Sequence, residues 1–392
     1  MKIVQSTWVR FHHFDLAGEL NRMGYLEKIF TSLPWWKVNK EAKELSISND
    51  KISCNFYLQG IRFVASKFPF YSSKLDEELA ILQTKLYSNW VARELPDCNT
   101  YIGISGSGLK AGKLAKSRGS GYIMDRGSTN IRHANDILNE EHLKWGLRWH
   151  PIHPWLMENE EAEAEEANII TVPSHFVKDT FINYGTNPAK IRVVPYGVSL
   201  KEFYQVGVPP INVFRLVFVG QVSIRKGFPY LLKAFKKFQH PNKELIVVGN
   251  VQKEIKDLIA KIGCKNVSFI GTVSRSKVKE YLSTAHALVL PSIEEGLALV
   301  QAQAMACGCP VIATPNTGAE TLFTNNKEGL IIESRNVNAL VEAFTKIADI
   351  PNLYKEMSEA SIKKAISLGG WEEYAKNIVD VAREAQLISK KI

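Results

Sequence analysis

The chain has 392 residues, which is long for one domain and sufficient for two. Apolar residues make up 45% and charged residues 23%, as in ordinary globular proteins, and the sequence lacks the run of about 18 apolar residues that a transmembrane helix requires. The net charge of +9 suits an anionic partner, but the basic residues are dispersed and accompany no nucleic-acid-binding signature, so we expect no nucleic acid among the partners.

The first half of the chain alternates short apolar runs with amphipathic segments. We predict strands at Lys2–Gln5, Ile61–Val64, Thr100–Ser105, Tyr122–Met124, Ile169–Val172 and Ile191–Val194. We predict helices at Phe14–Met23, Leu75–Leu95, Leu109–Arg118, Asp136–Leu147 and Glu158–Ala167. Such alternation is typical of a parallel sheet covered by helices.

A turn-rich segment with two adjacent prolines, Val206–Asn212, precedes a second series of the same kind. Here we predict strands at Arg215–Val219, Glu244–Val248, Val267–Ile270, Ala287–Leu290 and Val311–Ala313. We predict helices at Pro229–Phe238, Val251–Ile262, Lys277–Ala285 and Trp371–Ile392. The class is α/β, with two Rossmann-like doubly wound domains at 1–205 and 206–370, a central cleft, and a final helix at 371–392.

The segment 291–320 joins a carboxylate to a helix start. The strand Ala287–Leu290 is followed by the acidic loop Glu294-Glu295-Gly296 and then by a small-residue segment that we predict to be helical. The first backbone N–H groups of a helix favour bound anions. A carboxylate for hydroxyl groups beside amides for phosphate is what a sugar-nucleotide site requires.

This segment resembles the C-terminal domain of glycosyltransferase family 4 (glycosyl transferases group 1), retaining enzymes of the GT-B architecture. The family pattern is a Glu, seven residues, a second Glu, and then Ala-Met-Ala-x-Gly-x-Pro-Val-Ile-Ala. Glu295 fits the first acid, with Glu294 as the alternative, and 304–313 fits the end of the pattern. Gln303 replaces the second acid.

The resemblance implies a role for each of these positions. Glu295 would contact the donor sugar, and Gln303 would bind the nucleotide ribose through its amide oxygen. We place Gln303 about two helical turns after Glu295, on the same face. The amides that would contact phosphate belong to Gly296, Leu297, Ala298 and Leu299. In the GT-B fold the final helix crosses back to the first domain, and we expect 371–392 to do so.

A second loop, Gly220 to Gly227, directly follows the predicted strand Arg215–Val219. The resemblance implies an Arg after the first Gly and a Lys before the second, both on the donor diphosphate. Lys226 fills the Lys position, whereas Gln221 stands at the Arg position. Arg225 is a candidate for the missing charge, with a solvated loop residue as the alternative. The segments that correspond to the nucleotide-base contacts contain Gly249, Asn250, Gly271, Thr272 and Val273.

The N-terminal half resembles the family less. In place of the usual glycine pair the chain has His12 and His13, which we place with Asp15 in a cleft loop as candidates for acceptor or phosphate binding, or else as structural residues. Where the family commonly has a His, the chain has Asp125 and Arg126, which we predict to be cleft residues without an assigned role, the alternative being an ion pair or turn.

Ser105-Gly106-Ser107-Gly108 also follows a predicted strand and opens a helix. The spacing is a weak dinucleotide fingerprint, but it lies far from the first β-α-β unit where such a site is expected. We therefore predict a tight cleft loop near the acceptor or a phosphate, with Ser105 and Gly106 as its candidates.

Two segments combine aromatic and basic residues. Trp35-Trp36-Lys37 is followed by Lys40 and Lys43, and Lys67 begins a second such segment that ends at residue 71. This combination is typical of proteins that touch a bilayer interface. Buried tryptophans with scattered surface lysines are the alternative.

Together these features predict a metal-independent, retaining hexosyltransferase. Its donor would be a UDP- or GDP-linked sugar and its acceptor a hydroxyl of a glycan or lipid-linked molecule. A GT-B sugar-nucleotide epimerase, and a binding protein that lost activity with Gln221 and Gln303, are the alternatives. Five scattered cysteines and the lack of an apolar leader predict a cytoplasmic protein, with peripheral contact at the inner face of an anionic membrane as a further hypothesis.

Overall fold

The structure, a computed structural model, describes residues 1–8, 10–68 and 72–390. Seven strands form a first sheet: β1 Ile3–Thr7, β2 Leu26–Thr31, β3 Ile52–Cys54, β4 Thr100–Ile104, β5 Gly121–Asp125, β6 Ile169–Val172 and β7 Ile191–Val193. Six strands form a second sheet: β8 Phe214–Val219, β9 Lys243–Val248, β10 Val267–Gly271, β11 Ala287–Leu290, β12 Val311–Ala313 and β13 Gly329–Ile331.

Helices connect the strands within each series. Those of the first series are α1 Phe11–Arg22, α2 Trp35–Glu44, α3 Tyr57–Ala65, α4 Ser73–Glu94, α5 Leu109–Ser117, α6 Ile131–Lys144, α7 Pro154–Glu166 and α8 His175–Asn183. The others are α9 Phe228–Lys237, α10 Lys256–Ile262, α11 Arg275–Ser283, α12 Leu299–Ala306, α13 Ala319–Leu322, α14 Val337–Asp349, α15 Leu353–Ser367 and α16 Trp371–Ser389. Short 3₁₀ turns lie at Asn49–Lys51, Pro188–Lys190, Lys253–Ile255 and Pro315–Thr317.

Both sheets are parallel and doubly wound. The strand orders are β3-β2-β1-β4-β5-β6-β7 and β10-β9-β8-β11-β12-β13. The order reverses between β1 and β4 in the first sheet and between β8 and β11 in the second. Crevices at such reversals, outside the carboxyl ends of the strands, are where open α/β sheets bind ligands.

β11 is apolar along its whole length because helices cover both faces of its sheet. All four residues of β11 are inaccessible to solvent, and Leu288 pairs with Val217 of β8 and Val311 of β12. Polar side chains set where helices begin: Ser72 accepts from the Leu75 amide at 3.2 Å, and Ser174 accepts from the Val177 amide at 3.3 Å.

The last helix, α16, packs on the first sheet. Thr100 Oγ1 in β4 donates to the Ala382 carbonyl at 2.9 Å, and Arg192 forms an ion pair with Glu384. A Cβ atom on Gly121 would lie 2.6 Å from the Gln386 nitrogen, so the helix backbone lies directly against β5. The domain boundaries at 205/206 and 370/371 stay a prediction.

Several predicted elements differ from the structure. The strand predicted at Ile61–Val64 is wrong, because these residues lie in α3. The segment is short and contains Arg62, so its pattern fits a helix as well as a strand. Helix α1 begins at Phe11, so His12 and His13 lie in a helix and not in a loop. The elements β2, β3, β13, α2, α8, α13, α14 and α15 were not predicted. Residues 391–392 of the predicted final helix lie outside the described part. Among the described residues, the length and apolarity needed to cross a bilayer are not found together in any helix.

Candidate functional site

The candidate site lies where loops of the two sheets meet at the carboxyl ends of their strands. The loop after β5 contacts the loop after β11, and Ser174, after β6, donates to the Gly296 carbonyl at 2.7 Å. The His175 amide donates to Thr321 Oγ1 at 3.1 Å. The contacting loops thus bring side chains from both halves of the chain together.

The structure brings Lys226 and Glu295 together. Lys226 Nζ donates to Glu295 Oε2, and the Ile293 amide donates to the Arg225 carbonyl at 2.8 Å, which joins the two loops. Gly227 makes this approach possible: it has a φ of 63°, and a Cβ atom there would lie 1.9 Å from the Pro291 carbonyl oxygen. The two residues predicted to be catalytic therefore form one ion pair.

Arg225 also belongs to this cluster. Its Nη1 atom lies 3.4 Å from Glu295 Oε1 and 3.2 Å from Glu294 Oε2, whereas Gln221 is exposed to solvent. Burial and the neighbouring Arg225 lower the pKa of Lys226 to about 7, against the opposing effect of Glu294. Two cations beside two carboxylates leave a site that an anionic group can enter by displacing a carboxylate.

Glu294 faces the other half of the chain. Its Oε1 atom accepts from Ser128 Oγ at 2.7 Å, from Thr129 Oγ1 at 2.6 Å and from the Thr129 amide at 3.3 Å. Burial favours a higher pKa for this carboxyl, but Arg225 and these hydrogen bonds outweigh burial and hold the pKa below its ordinary value. Glu294 is therefore ionised at neutral pH although it is buried.

The loop before α12 is close-packed. A Cβ atom on Gly296 would lie 1.9 Å from the Gly127 carbonyl oxygen, so the close approach that Gly296 permits is to the first half of the chain. Leu297 and Ala298 are buried, Leu299 is half-buried, and the Ala298 amide donates to the Thr317 carbonyl at 3.2 Å. The Ala298 amide is thus occupied, and the Gln301 amide in the first turn of α12 donates to the Ala298 carbonyl at 2.9 Å.

Gln303 is half-buried on α12. The prediction that it shares a helical face with Glu295 is wrong, because the helix begins at Leu299, after Glu295. The proline and glycine that flank this acidic loop keep it out of the helix.

The residues proposed for the nucleotide base lie at the ends of β9 and β10. Gly220 and Gly249 have φ angles of 146° and 149°, and a Cβ atom on Gly249 would lie 1.8 Å from the Gly220 carbonyl oxygen. Asn250 and Thr272 are exposed, and Val273 is half-buried. These positions are open to a ligand.

His12, His13 and Asp125 form a buried cluster. His12 Nε2 lies 2.7 Å and His13 Nδ1 lies 3.4 Å from Asp125 Oδ2, and Thr171 Oγ1 donates to Asp125 Oδ1 at 2.9 Å. Burial and neighbouring His12 lower the pKa of His13 to about 3, against the effect of Asp125. The three ligand atoms lie within 4.8 Å of one another, so this cluster has the groups that could hold a metal ion.

Arg126 joins the loop after β5 to neighbouring parts of the first half through hydrogen bonds and an ion pair. Its guanidinium donates to the Thr129 carbonyl at 2.9 and 2.7 Å, to Ser105 Oγ at 3.1 Å and to Glu160 Oε2 at 2.6 Å. The ion-pair alternative for Arg126 thus describes its contacts. Ser105 is brought near the site through Arg126.

The glycine loop at Gly106 is occupied by a carboxylate of the chain itself. The Gly106 amide donates to Glu163 Oε2, and Tyr122 donates to Glu163 Oε1 at 3.3 Å. Burial raises the pKa of Glu163 to about 8, against the effect of the Gly106 hydrogen bond. The group that the loop binds in this arrangement is therefore Glu163, which the sequence did not indicate.

Comparison with known proteins finds a family match in the second half of the chain. A model of the glycosyl transferases group 1 family matches residues 202–364. This segment is therefore similar to the glycosyl transferases group 1. The predicted resemblance to glycosyltransferase family 4 is confirmed.

Curated relatives are about a quarter identical to this chain over the segments that align. An uncharacterized glycosyltransferase of Methanocaldococcus jannaschii is 23% identical over 56% of this chain and 61% of its own. A D-inositol 3-phosphate glycosyltransferase of Kribbella flavida is 28% identical over 52% of this chain and 53% of its own. The match therefore spans only about half to three fifths of these curated relatives.

Solved structures confirm the GT-B fold of the chain. Sucrose-phosphate synthase from Thermosynechococcus elongatus superposes with a TM-score of 0.69 at 18% identity, covering 98% of both chains. Anabaena HepE, solved with UDP, superposes with a TM-score of 0.69 at 14% identity, covering 98% of this chain and 100% of its own.

The first half of the chain exposes aromatic residues. The exposed fraction is 67% for Trp36 and 73% for Tyr57, and Phe56 lies against both rings. These residues follow β2 and β3 at the same edge of the sheet. Residues 69–71 of the second aromatic and basic segment lie outside the described residues.

Proposed function

We propose that the protein is a retaining glycosyltransferase that transfers a hexosyl group from a UDP- or GDP-linked sugar to a hydroxyl of a glycan or lipid-linked acceptor. The observation that supports this most is the cluster of Lys226 and Arg225 against Glu295 at the carboxyl ends of β8 and β11. It combines two cations suited to a diphosphate with a carboxylate suited to sugar hydroxyls.

The chemistry follows from these charges. On donor binding, the diphosphate takes the place of Glu295 beside Lys226, and Glu295 turns to accept hydrogen bonds from the sugar. The bond between the anomeric carbon and the diphosphate oxygen then breaks, and its electrons move to the diphosphate. Lys226 and Arg225 stabilise that charge while the acceptor oxygen bonds to the anomeric carbon on the same face, and the proton of the acceptor hydroxyl passes to the departing diphosphate oxygen.

We propose that this transfer needs no metal ion, since Lys226, Arg225 and the first-turn amides of α12 supply the positive potential at the diphosphate. The competing hypothesis is a metal ion at His12, His13 and Asp125. Donor hydrolysis in EDTA separates the two: unchanged turnover supports the amide and lysine site, and loss of turnover that Zn²⁺ or Mn²⁺ restores supports the metal.

We propose that a lipid-linked acceptor is approached from an anionic membrane surface at the inner face. The exposed rings of Trp36 and Tyr57 beside Lys37 and Lys40, which are also exposed, support this. Co-sedimentation with vesicles that contain anionic lipid, at whose surface each basic residue contributes about 1 kcal/mol, tests it. Trp36→Ala should reduce the bound fraction, and equal binding by both proteins contradicts the proposal.

A non-catalytic nucleotide-sugar-binding protein is the second candidate, favoured by Gln221 and Gln303 at positions where the family has charged residues. Nucleotide release from UDP- and GDP-linked sugars separates the candidates, with Lys226→Ala as the test variant and Lys355→Ala, an exposed lysine of α15, as the control. Turnover lost only in Lys226→Ala supports the transferase. Stabilisation by the donor without release supports the binding protein.

An epimerase would instead convert the donor sugar into an isomer, either while the sugar stays attached to the nucleotide or as it is released, and would need no acceptor. Chromatography of the sugar recovered from the same reaction identifies it, because an epimerase produces a second sugar isomer.

A further inference from the structure

Two neighbouring carboxylates in the loop after β11 have different surroundings. Glu295 contacts Lys226 and is partly accessible, whereas Glu294 is 2% exposed and faces Ser128 and Thr129 of the first half of the chain. Glu295 alone fits a group that touches the donor. Glu294 therefore needs a separate explanation.

The two oxygens of Glu294 bind different parts of the molecule. Oε1 accepts from Ser128 Oγ at 2.7 Å and Thr129 Oγ1 at 2.6 Å, and Oε2 lies 3.2 Å from Arg225 Nη1. Arg225 Nη1 also donates to the Glu294 carbonyl at 3.2 Å. A single carboxylate thus joins a cation of the second sheet's loop to two hydroxyl groups of the first sheet's loop.

The partners in the first half are held rigidly. Arg126 donates twice to the Thr129 carbonyl, at 2.9 and 2.7 Å, and is itself paired with buried Glu160 at 2.6 Å. The Asn130 amide donates to Thr180 Oγ1 at 3.1 Å. Ser128 and Thr129 therefore move with the first sheet when the two halves separate.

We propose that Glu294 is a positioning residue, which places Arg225 at the donor diphosphate only when the loop of Ser128 and Thr129 closes on it. The proposal rests on the proposed transferase function. Parting of the two halves removes the hydrogen bonds to Oε1, and the carboxylate and Arg225 then lose their fixed orientation. Closure of the cleft and placement of the Arg225 guanidinium are therefore coupled.

Two variants separate the two sides of this contact. Glu294→Gln keeps an oxygen that can accept from Ser128 or Thr129 but removes the attraction for Arg225. Ser128→Ala/Thr129→Val keeps the pair between Glu294 and Arg225 but removes the two hydroxyl hydrogen bonds that Glu294 accepts from the first half. Glu140→Gln is the control, because Glu140 pairs with Arg335 across the halves at 2.8 Å without touching Arg225.

Donor hydrolysis gives the first readout. We expect each test variant to lower kcat about tenfold with little change in KM, a size typical of coupling between sites, and Glu140→Gln to retain the rate. The two sets of substitutions combined should lower kcat no further than Glu294→Gln alone, because they break one unit. A rate within twofold of the original for Ser128→Ala/Thr129→Val, or multiplicative losses, would overturn the proposal.

Hydrogen exchange gives a readout that does not need turnover. We expect Ser128→Ala/Thr129→Val to speed exchange at 225–227, across the cleft from the substituted residues, and Glu140→Gln to leave it unchanged. Unaltered exchange at 225–227 in the double variant would overturn the coupling. If the original chain released no nucleotide from any donor, the transferase would fail, and exchange would still decide the role of Glu294.

Discussion

Replacement of Gly296 by alanine tests the closed arrangement of the cleft. Gly296 has no positive φ angle, so alanine can adopt its backbone conformation. The added Cβ atom would lie 1.9 Å from the Gly127 carbonyl oxygen and 3.1 Å from Ser128 Cα. Both neighbours are backbone atoms, which cannot rotate away as a side chain can.

The geometry gives the size of the effect. Real Cβ atoms stay at least 3.0 Å from such atoms, so the loops must separate by about 1.1 Å. The 2.6 Å hydrogen bond between Thr129 and Glu294 would then lengthen beyond hydrogen-bonding range. A hydrogen bond to a charged group contributes about 2 kcal/mol. Its loss shifts the balance toward the open form about 30-fold.

Small-angle scattering and donor hydrolysis check this prediction. We expect Gly296→Ala to have a larger radius of gyration and a kcat/KM lowered about 30-fold. Gly370→Ala is the matched control, because the nearest atom to a Cβ there lies at 3.6 Å, an ordinary contact. A Gly296→Ala protein with unchanged scattering and a rate within threefold of the original would refute the reasoning.

Three further predictions concern affinity and stability. Lys226 has a pKa of about 7, and a bound diphosphate favours its protonated form. The affinity for a nucleotide sugar should therefore fall by up to about tenfold per pH unit above pH 7. Calorimetry measures this dependence, and a Lys226→Ala protein with the same slope would contradict the prediction. Gln303→Glu should tighten nucleotide binding about fivefold, as a charged acceptor is about 1 kcal/mol stronger than a neutral one, and an unchanged Kd would exclude ribose contact. Gly112→Ala should lower the melting temperature, because the added Cβ atom would lie 2.3 Å from the Tyr122 ring. Gly60→Ala should raise the melting temperature slightly, because the space around Gly60 is open. Equal melting temperatures for the two variants would contradict the packing argument.

The sequence predicts best where burial makes a strand uniformly apolar. β6, β8 and β11 lie in the interior of their sheets, and their runs of Val, Ile, Leu and Phe are hard to mistake. β2 contains Glu27 and Lys28, which are half-buried, and these charges conceal it. The segment Ile61–Val64, which includes Arg62, is too short to show a clear period, and the strand predicted there is wrong.

The residues of the candidate site also differ in how well the sequence predicts them. Lys226 and Glu295 were predicted from the resemblance of their loops to the family pattern, and the structure brings the two side chains together. Glu163 is recognisable only from the fold, because the residue that fills the loop at Gly106 comes from α7, in a distant part of the chain. The different roles proposed for Glu294 and Glu295 likewise depend on which half of the chain each side chain faces.

The packing of α16 on β4 and β5 has a consequence for synthesis of the protein. A ribosome completes every strand of the first sheet long before it makes the helix that covers them. Until then the surface around Gly121 and Thr100 stays exposed to water, and the unfinished chain offers it to chaperones or to other nascent chains. The first sheet, although encoded first, acquires its final covering only after the second sheet has been made.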